Sequence, residues 1–205
     1  MGGNIMPGIR RMAVLGLAMG MSAPAVLAQS RENTFSPAHQ VEVAFNYSYM
    51  RANAAPGQCG CFNMSGGSGE FAVQAWRGFS VVADLTGEFA GSSNIPGQSL
   101  ALVFVTAGPR FTYYTHRFHR YAPFAQGLVG VVHGFDAPFP NNSGSTTGAA
   151  NALAAFVGGG LDISINHYLA VRPIQADYGL SQLPNSVNAH QNLFRYSAGI
   201  VLRTR

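Results

Sequence analysis

The stretch GEFAVQAWRGFSVVADLTGEF, residues 69–89, alternates apolar and polar residues at a period of two on both sides of Arg77 and Gly78. That pattern predicts an antiparallel hairpin whose two strands each have two unlike faces. Glu70, Gln74, Asp84, Thr86 and Glu88 share one face, and Phe71, Val73, Val81, Leu85 and Phe89 the other. A water-solvated polar face usually carries many Lys and Glu residues. Here charged residues make up 10% of the chain, lysine is missing altogether, and Ala, Gly and Ser share the polar face. A narrow lumen filled by a few paired charges and small side chains fits that composition better than an exterior in water. The charge-free face then points outward.

The same periodicity recurs on either side. QVEVAFNYSYM begins at residue 40, LALVFVTAGPRFTYYT at 100, YAPFAQGLVGVVH at 121, ALAAFVGGGLDISI at 152, YLAVRPIQADYGL at 168 and NLFRYSAGIVLR at 192. With the two arms of the hairpin that makes eight strands. The fifth is the least regular, because both of its parities are apolar. Short connections (Arg77 and Gly78, HRFHR, Asn166 and His167) alternate with long Gly-, Asn- and Ser-rich ones, including residues 52–68 and 134–150. Strict alternation is the pattern of an all-β, eight-stranded antiparallel up-and-down barrel, with turns on one rim and loops on the other. No segment after Ala28 reaches 18 consecutive apolar residues, so strands rather than helices would cross a bilayer.

One strand resists the alternation. In LAVRPIQADYGL, residues 169–180, strict period two would place Arg172 inside but send Gln175 and Asp177 outward. A charge on a lipid face costs about 2–4 kcal/mol for Arg at the midplane and less for Asp. One extra residue restores the pattern, and Pro173 is suited to a bulge because proline cannot donate to the ladder. The expected lumenal set is then Glu42, Glu70, Asp84, Glu88, Asp162 and Asp177 with Arg110, Arg172, Arg195 and Arg203. Guanidinium forks suit carboxylates in so small an interior. Its expected role is structural packing, with a gate or narrow ion path as the alternative. Tyr47, Tyr49, Tyr113, Tyr168, Tyr178 and Tyr196 are expected to form interfacial girdles on the outer face.

Arg10 and Arg11 precede the apolar run MAVLGLAMGM, and small residues close it at Ala28. Residues 1–28 read as a secretory signal peptide, 29–39 as a short N-terminal segment and 40–205 as one barrel domain. Removing the signal leaves ten arginines against eight acids, scattered singly, which gives no nucleic-acid surface. Cys59 and Cys61 lie together in an exported chain, where a loop disulfide is the leading expectation and free thiols the alternative. Without nearby His or Cys partners the pair is a weak metal signal, and neither a metal nor any cofactor is expected. Glycines 158–160 precede a strand rather than a helix, so they read as close packing or curvature, not a phosphate cradle. His133 and His167, with Ser164 near the latter, are the residues an enzyme would draw on, yet their spacing alone defines no triad. No catalytic residue is assigned.

Taken together, GEFAVQAWRGFSVVADLTGEF, VTAGPRFTYY, YAPFAQGLVG, GGGLDISINHYLAVRPIQADYGL and FRYSAGIVLR resemble the small outer-membrane β-barrel proteins related to the transmembrane domain of OmpA, the OmpA/OmpX-like eight-stranded barrels. The resemblance implies a Gram-negative outer-membrane location, an N-terminus in the periplasm, four loops outside and three turns inside. It implies contact with outer-membrane lipids, lipopolysaccharide and the barrel-assembly machinery, and leaves open an external ligand or host surface for the loops, which the sequence does not name. The chain departs from the family pattern in ending on Arg203, Thr204 and Arg205 rather than a terminal aromatic. The resemblance is weak evidence for activity. A structural or surface-interaction role leads. The alternatives are a small-solute pore, a soluble lipocalin-like periplasmic carrier with its faces reversed, and a lipid-modifying enzyme.

Overall fold

The computed structural model describes residues 41–53, 61–91, 99–114, 120–140, 145–184 and 190–204. All of them lie in the second of two compact units, Pro37–Arg205. Within it the chain forms β1 (Val41–Asn53), β2 (Cys61–Trp76), β3 (Phe79–Ala90), β4 (Leu100–Thr112), β5 (Tyr121–Pro140), β6 (Thr146–Ser164), β7 (Leu169–Ser181) and β8 (Gln191–Thr204). Each strand pairs antiparallel with its neighbour in sequence, and β1 closes on β8. The result is a closed up-and-down barrel with no unpaired edge. Among the described residues no helix is long and apolar enough to cross a membrane.

The two rims differ. At the turn end, β2 meets β3 through Arg77 and Gly78. Gly78 has φ 73°, and a Cβ there would lie 2.8 Å from the Thr112 carbonyl oxygen, so only glycine fits this turn. The β6–β7 turn is held by Asn166, whose side-chain oxygen accepts from the backbone N–H groups of Tyr168 and Leu169, each at 2.8 Å.

At the loop end, strands run further than their composition suggests. β2 begins at Cys61, paired with Asn53, rather than near residue 69. β5 and β6 extend to Pro140 and back from Thr146. Much of the segments 52–68 and 134–150, expected as loops, is therefore strand. The ladder satisfies backbone N–H and C=O groups whatever the side chains, so a Gly- and Ser-rich run can pair if its neighbour does. The long hairpin is bent where its register shifts between Phe135 and Phe139, with Asp136 in the left-handed region at φ 63°.

The alternation in β7 breaks at Pro173. Register against β8 shifts between Arg172 and Gln175, and Pro173 and Ile174 are both exposed. Arg172, Gln175 and Asp177 are all buried as a consequence.

The face assignment is plain from exposure. Phe45, Phe71, Val81, Leu85, Val105, Val129, Leu153, Val157, Ile174 and Ile200 point out of the barrel as exposed side chains. Ten charged residues are buried inside it. A soluble carrier would need the opposite arrangement.

Candidate functional site

The interior is divided along the barrel axis. Towards the turn end lie most of the charges; Glu88, paired with Leu102, lies towards the loop end. Arg172, on the far side of the bulge from Gln175, is 0% exposed and stands at the centre. Its guanidinium grips Asp162 through Nε (2.7 Å) and Nη2 (3.2 Å), while Nη1 donates to Glu70 (2.6 Å) and to Gln175 (2.8 Å). Glu70 is shared, because Arg110 also donates to it. Asp162 is shared as well, with Arg203 at 3.1 Å, and Arg203 Nε lies 2.9 Å from Glu42. Arg195 donates through Nη2 to Asp177 (2.9 Å) and through Nη1 to Asp84 (3.1 Å) and Thr86 (2.6 Å).

Two amides join these groups into one web. Gln175 Nε2 donates to Glu70 (3.1 Å) and Asp177 (2.8 Å). Gln126 accepts from Arg110 Nε at 3.0 Å and donates to Asp177 at 3.1 Å. Of the ten charged residues expected in the lumen, nine are thus connected. The tenth, Glu88, is buried but among the described residues enters no ion pair; there it accepts a hydrogen bond from the Ser48 hydroxyl, 2.5 Å away.

Aromatic plates lie under the arginines, and sequence reasoning did not find them. Arg110 and Arg172 stack over the Phe124 ring at 4.4 and 4.5 Å, and Arg195 over Phe156 at 4.8 Å. Each ring occupies space left by a glycine. A Cβ on Gly160 would lie 2.7 Å from Phe124 Cζ, and one on Gly179 would lie 2.6 Å from Phe156 Cδ1. Gly160 therefore makes room for the plate under the network, while Gly158 and Gly159 allow close approach of the β7 and β5 backbones, which is packing rather than ligand binding. The available signal was register: Gln126 and Phe124 pair with Arg110 and Thr112 and share their inward parity.

Towards the loop end the lumen turns apolar. Met50, Met64, Leu102, Phe104, Leu128, Val132, Phe156 and Leu193 form one buried cluster, closed above by Phe139 from the long hairpin and Leu183 after β7. Phe104 and Phe156 meet edge to face with centroids 5.3 Å apart. At the opposite end Tyr114, two residues past β4, is partly buried beside Glu42, Arg203 and Asp162. Burial first, and then the charge of Glu42, pushes its hydroxyl up to about 12.

The other expected residues fall as follows. Tyr47, Tyr49, Tyr113, Tyr168, Tyr178 and Tyr196 are all exposed on the outer face. Tyr113, Tyr121 and Tyr168 ring the turn end with Trp76, Phe79 and Phe111. Cys61 is an exposed free thiol at the start of β2, and Cys59 lies outside the described residues, as do His116 and His119. Ser164 accepts a hydrogen bond from Arg203 (2.8 Å), which places it in the ion network. His133, at the loop end, pairs with Asn151 at 2.6 Å, far from His167 in the β6–β7 turn. Among the described residues no group of three or more His, Cys, Asp or Glu side chains is placed to hold a metal.

This closed eight-stranded architecture is shared with solved structures of small outer-membrane barrels. The chain is similar to Neisserial surface protein A, with a TM-score of 0.59 and 13% identity over 80% of this chain and 97% of that one. It is also similar to Ail, the attachment invasion locus protein of Yersinia pestis, with a TM-score of 0.52 and 17% identity over 80% and 99%. Ail in complex with the heparin analogue sucrose octasulfate gives 0.51 and 19% over the same shares. At these identities the likeness establishes the fold alone. No protein-family model matches the chain, and no curated protein matches it.

Proposed function

We propose that the protein is an integral outer-membrane barrel of a Gram-negative envelope, with a filled lumen, that acts as a structural or surface-interaction protein through its loop end. The observation that carries this reading is the inversion of faces: buried charge within, exposed aliphatic and aromatic side chains without. Such an exterior is unstable in water and suited to lipid, with the aromatic rims at the two interfaces. The turn end faces the periplasm on this reading and the loop end faces outward. Lipid, lipopolysaccharide and the assembly machinery follow as partners of any such barrel.

A filled interior argues for contact rather than transport. The arginine web and the apolar cluster lie in series, so a solute would have to displace both. Among the described residues, the β5–β6 hairpin offers external surface at Asp136, Pro138, Thr146 and Thr147, all exposed. Beyond the buried layer, Arg51 and Asp136 are the charged residues among those described. That sparse charge favours an uncharged or weakly polar partner surface over a sulfated polyanion of the kind bound to Ail.

The test is expression with the native leader in a Gram-negative host, followed by gel analysis of the outer-membrane fraction with and without boiling. A band that shifts on heating, together with no single-channel conductance in planar bilayers, is the expected result. A soluble periplasmic band overturns the membrane reading, and steady conductance overturns the filled lumen.

A further inference from the structure

The outer face is not evenly covered. On β2, β3 and β4 a hollow of about 450 Å³ opens between Phe71, Leu85 and Val105, floored by Gly69, Ala83 and Ala107. Its floor is not something the barrel requires. A Cβ on Gly66, which faces inward on the same strand, would lie 2.9 Å from Glu88 Cα, so that glycine is fixed by strand packing. A Cβ on Gly69 would meet nothing within 4 Å. The small side chain there preserves open space on the lipid side.

We propose that this wall seats one anionic phospholipid of the periplasmic leaflet, an acyl chain lying in the hollow and the phosphate at Arg77; the proposal rests on the membrane reading above. Depth supports that leaflet. From Arg77, exposed in the β2–β3 turn, to Phe71 is six residues, or about 15 Å along the membrane normal at ~3.3 Å a residue and a tilt of ~40°. That is roughly half of a ~25 Å apolar band, the reach of one leaflet's chain. Width supports a single chain, because neighbouring strands are ~4.8 Å apart and one absent side chain leaves a slot of that order. Trp76, 76% exposed beside Arg77, belongs at the headgroup level. A second barrel is a poorer occupant. The polar residues that line the hollow, Glu70, Asp84 and Thr106, are buried and bonded within the lumen, so they are not free to bond across an interface, and inside lipid there is no hydrophobic gain from replacing one apolar surface by another.

The full chain is reconstituted in nanodiscs of phosphatidylethanolamine and phosphatidylglycerol carrying a trace of phosphatidylglycerol with a diazirine near its acyl terminus. After irradiation the labelled residues are mapped by mass spectrometry. Labelling should concentrate on Phe71, Leu85 and Val105 at about fivefold over the β6–β8 wall, and fall by a similar factor in Gly69→Leu/Ala83→Leu. Both replacements point into open space, so the heat-shifted band should persist and report that the variant is folded. Arg77→Gln should bring labelling by the phosphatidylglycerol probe down to that by a phosphatidylethanolamine probe. Uniform labelling around the barrel, or labelling unchanged by the filled hollow, overturns the proposal. A chain that never enters the nanodisc fails one step earlier, at the membrane reading, and takes the proposal with it.

Discussion

The two halves of the lumen solve one problem, filling a narrow closed barrel, with opposite chemistries. The turn-end half is a web of arginines and carboxylates in which nearly every fork has a named acceptor. The loop-end half is an ordinary apolar core of Met, Leu, Val and Phe. Buried ion pairs add little net stability over well-packed apolar groups, but removing one partner strands the other's charge. Apolar layers lose stability in proportion to the volume removed. The web is thus the intolerant half and the apolar layer the graded one.

Arg172→Leu should have the largest effect, about 3–5 kcal/mol of destabilisation, because it takes from Glu70 and Asp162 one of the two arginines that each one shares and leaves Gln175 without its donor. Urea unfolding in detergent, read by the heat-shifted band, measures it; an unchanged midpoint would break the web as a unit. Phe104→Ala should cost about 3–4 kcal/mol, since it empties the centre of the apolar half and removes the edge partner of Phe156. A loss below about 1 kcal/mol would mean that the upper half is loosely packed and the division is false.

A finer comparison sets two carboxylates of the lumen against each other. Glu70→Gln should be severe, because two arginines converge on Glu70. Glu88→Gln should change the midpoint by less than about 1 kcal/mol, as only a hydroxyl bonds it and the amide can replace that bond. Equal losses would place Glu88 inside the web after all. The smallest effect belongs to Tyr114. Its hydroxyl titrates near 12 in the fold against about 10 when unfolded, so the stability it contributes is full below pH 10 and lost as pH rises to 12. Stability profiles of the wild type and Tyr114→Phe should diverge in that window; parallel profiles would remove Tyr114 from the buried mouth.

How much was legible in the sequence follows the same division. Period two assigns a face to any strand with a charged residue, so Glu70, Asp84 and Arg110 could be placed from their parity alone. The bulge at Pro173 was legible because leaving Gln175 and Asp177 outside would have put polar groups into lipid. In the upper half both parities are apolar, as in Phe104 and Val105, so only counting from Arg110 separates inward from outward. The extensions of β2, β5 and β6 were hidden for a different reason. Their Gly-, Ser- and Asn-rich composition reads as loop, while strand pairing is decided by the partner strand. Phe124 and Phe156 could not be seen as arginine plates until register set Gly160 and Gly179 beside them.

The ion web also has a kinetic consequence. Arg172 meets Glu70 across 102 residues of chain, and Arg195 meets Asp84 across 111. Neither contact can form until distant strands have been brought together, so the web is a late reward for loop closure already made. On the membrane reading, a half-built barrel would hold bare guanidinium groups against lipid, a state of high free energy. Assembly should therefore be slow and close to all-or-none, with few partly inserted forms that persist.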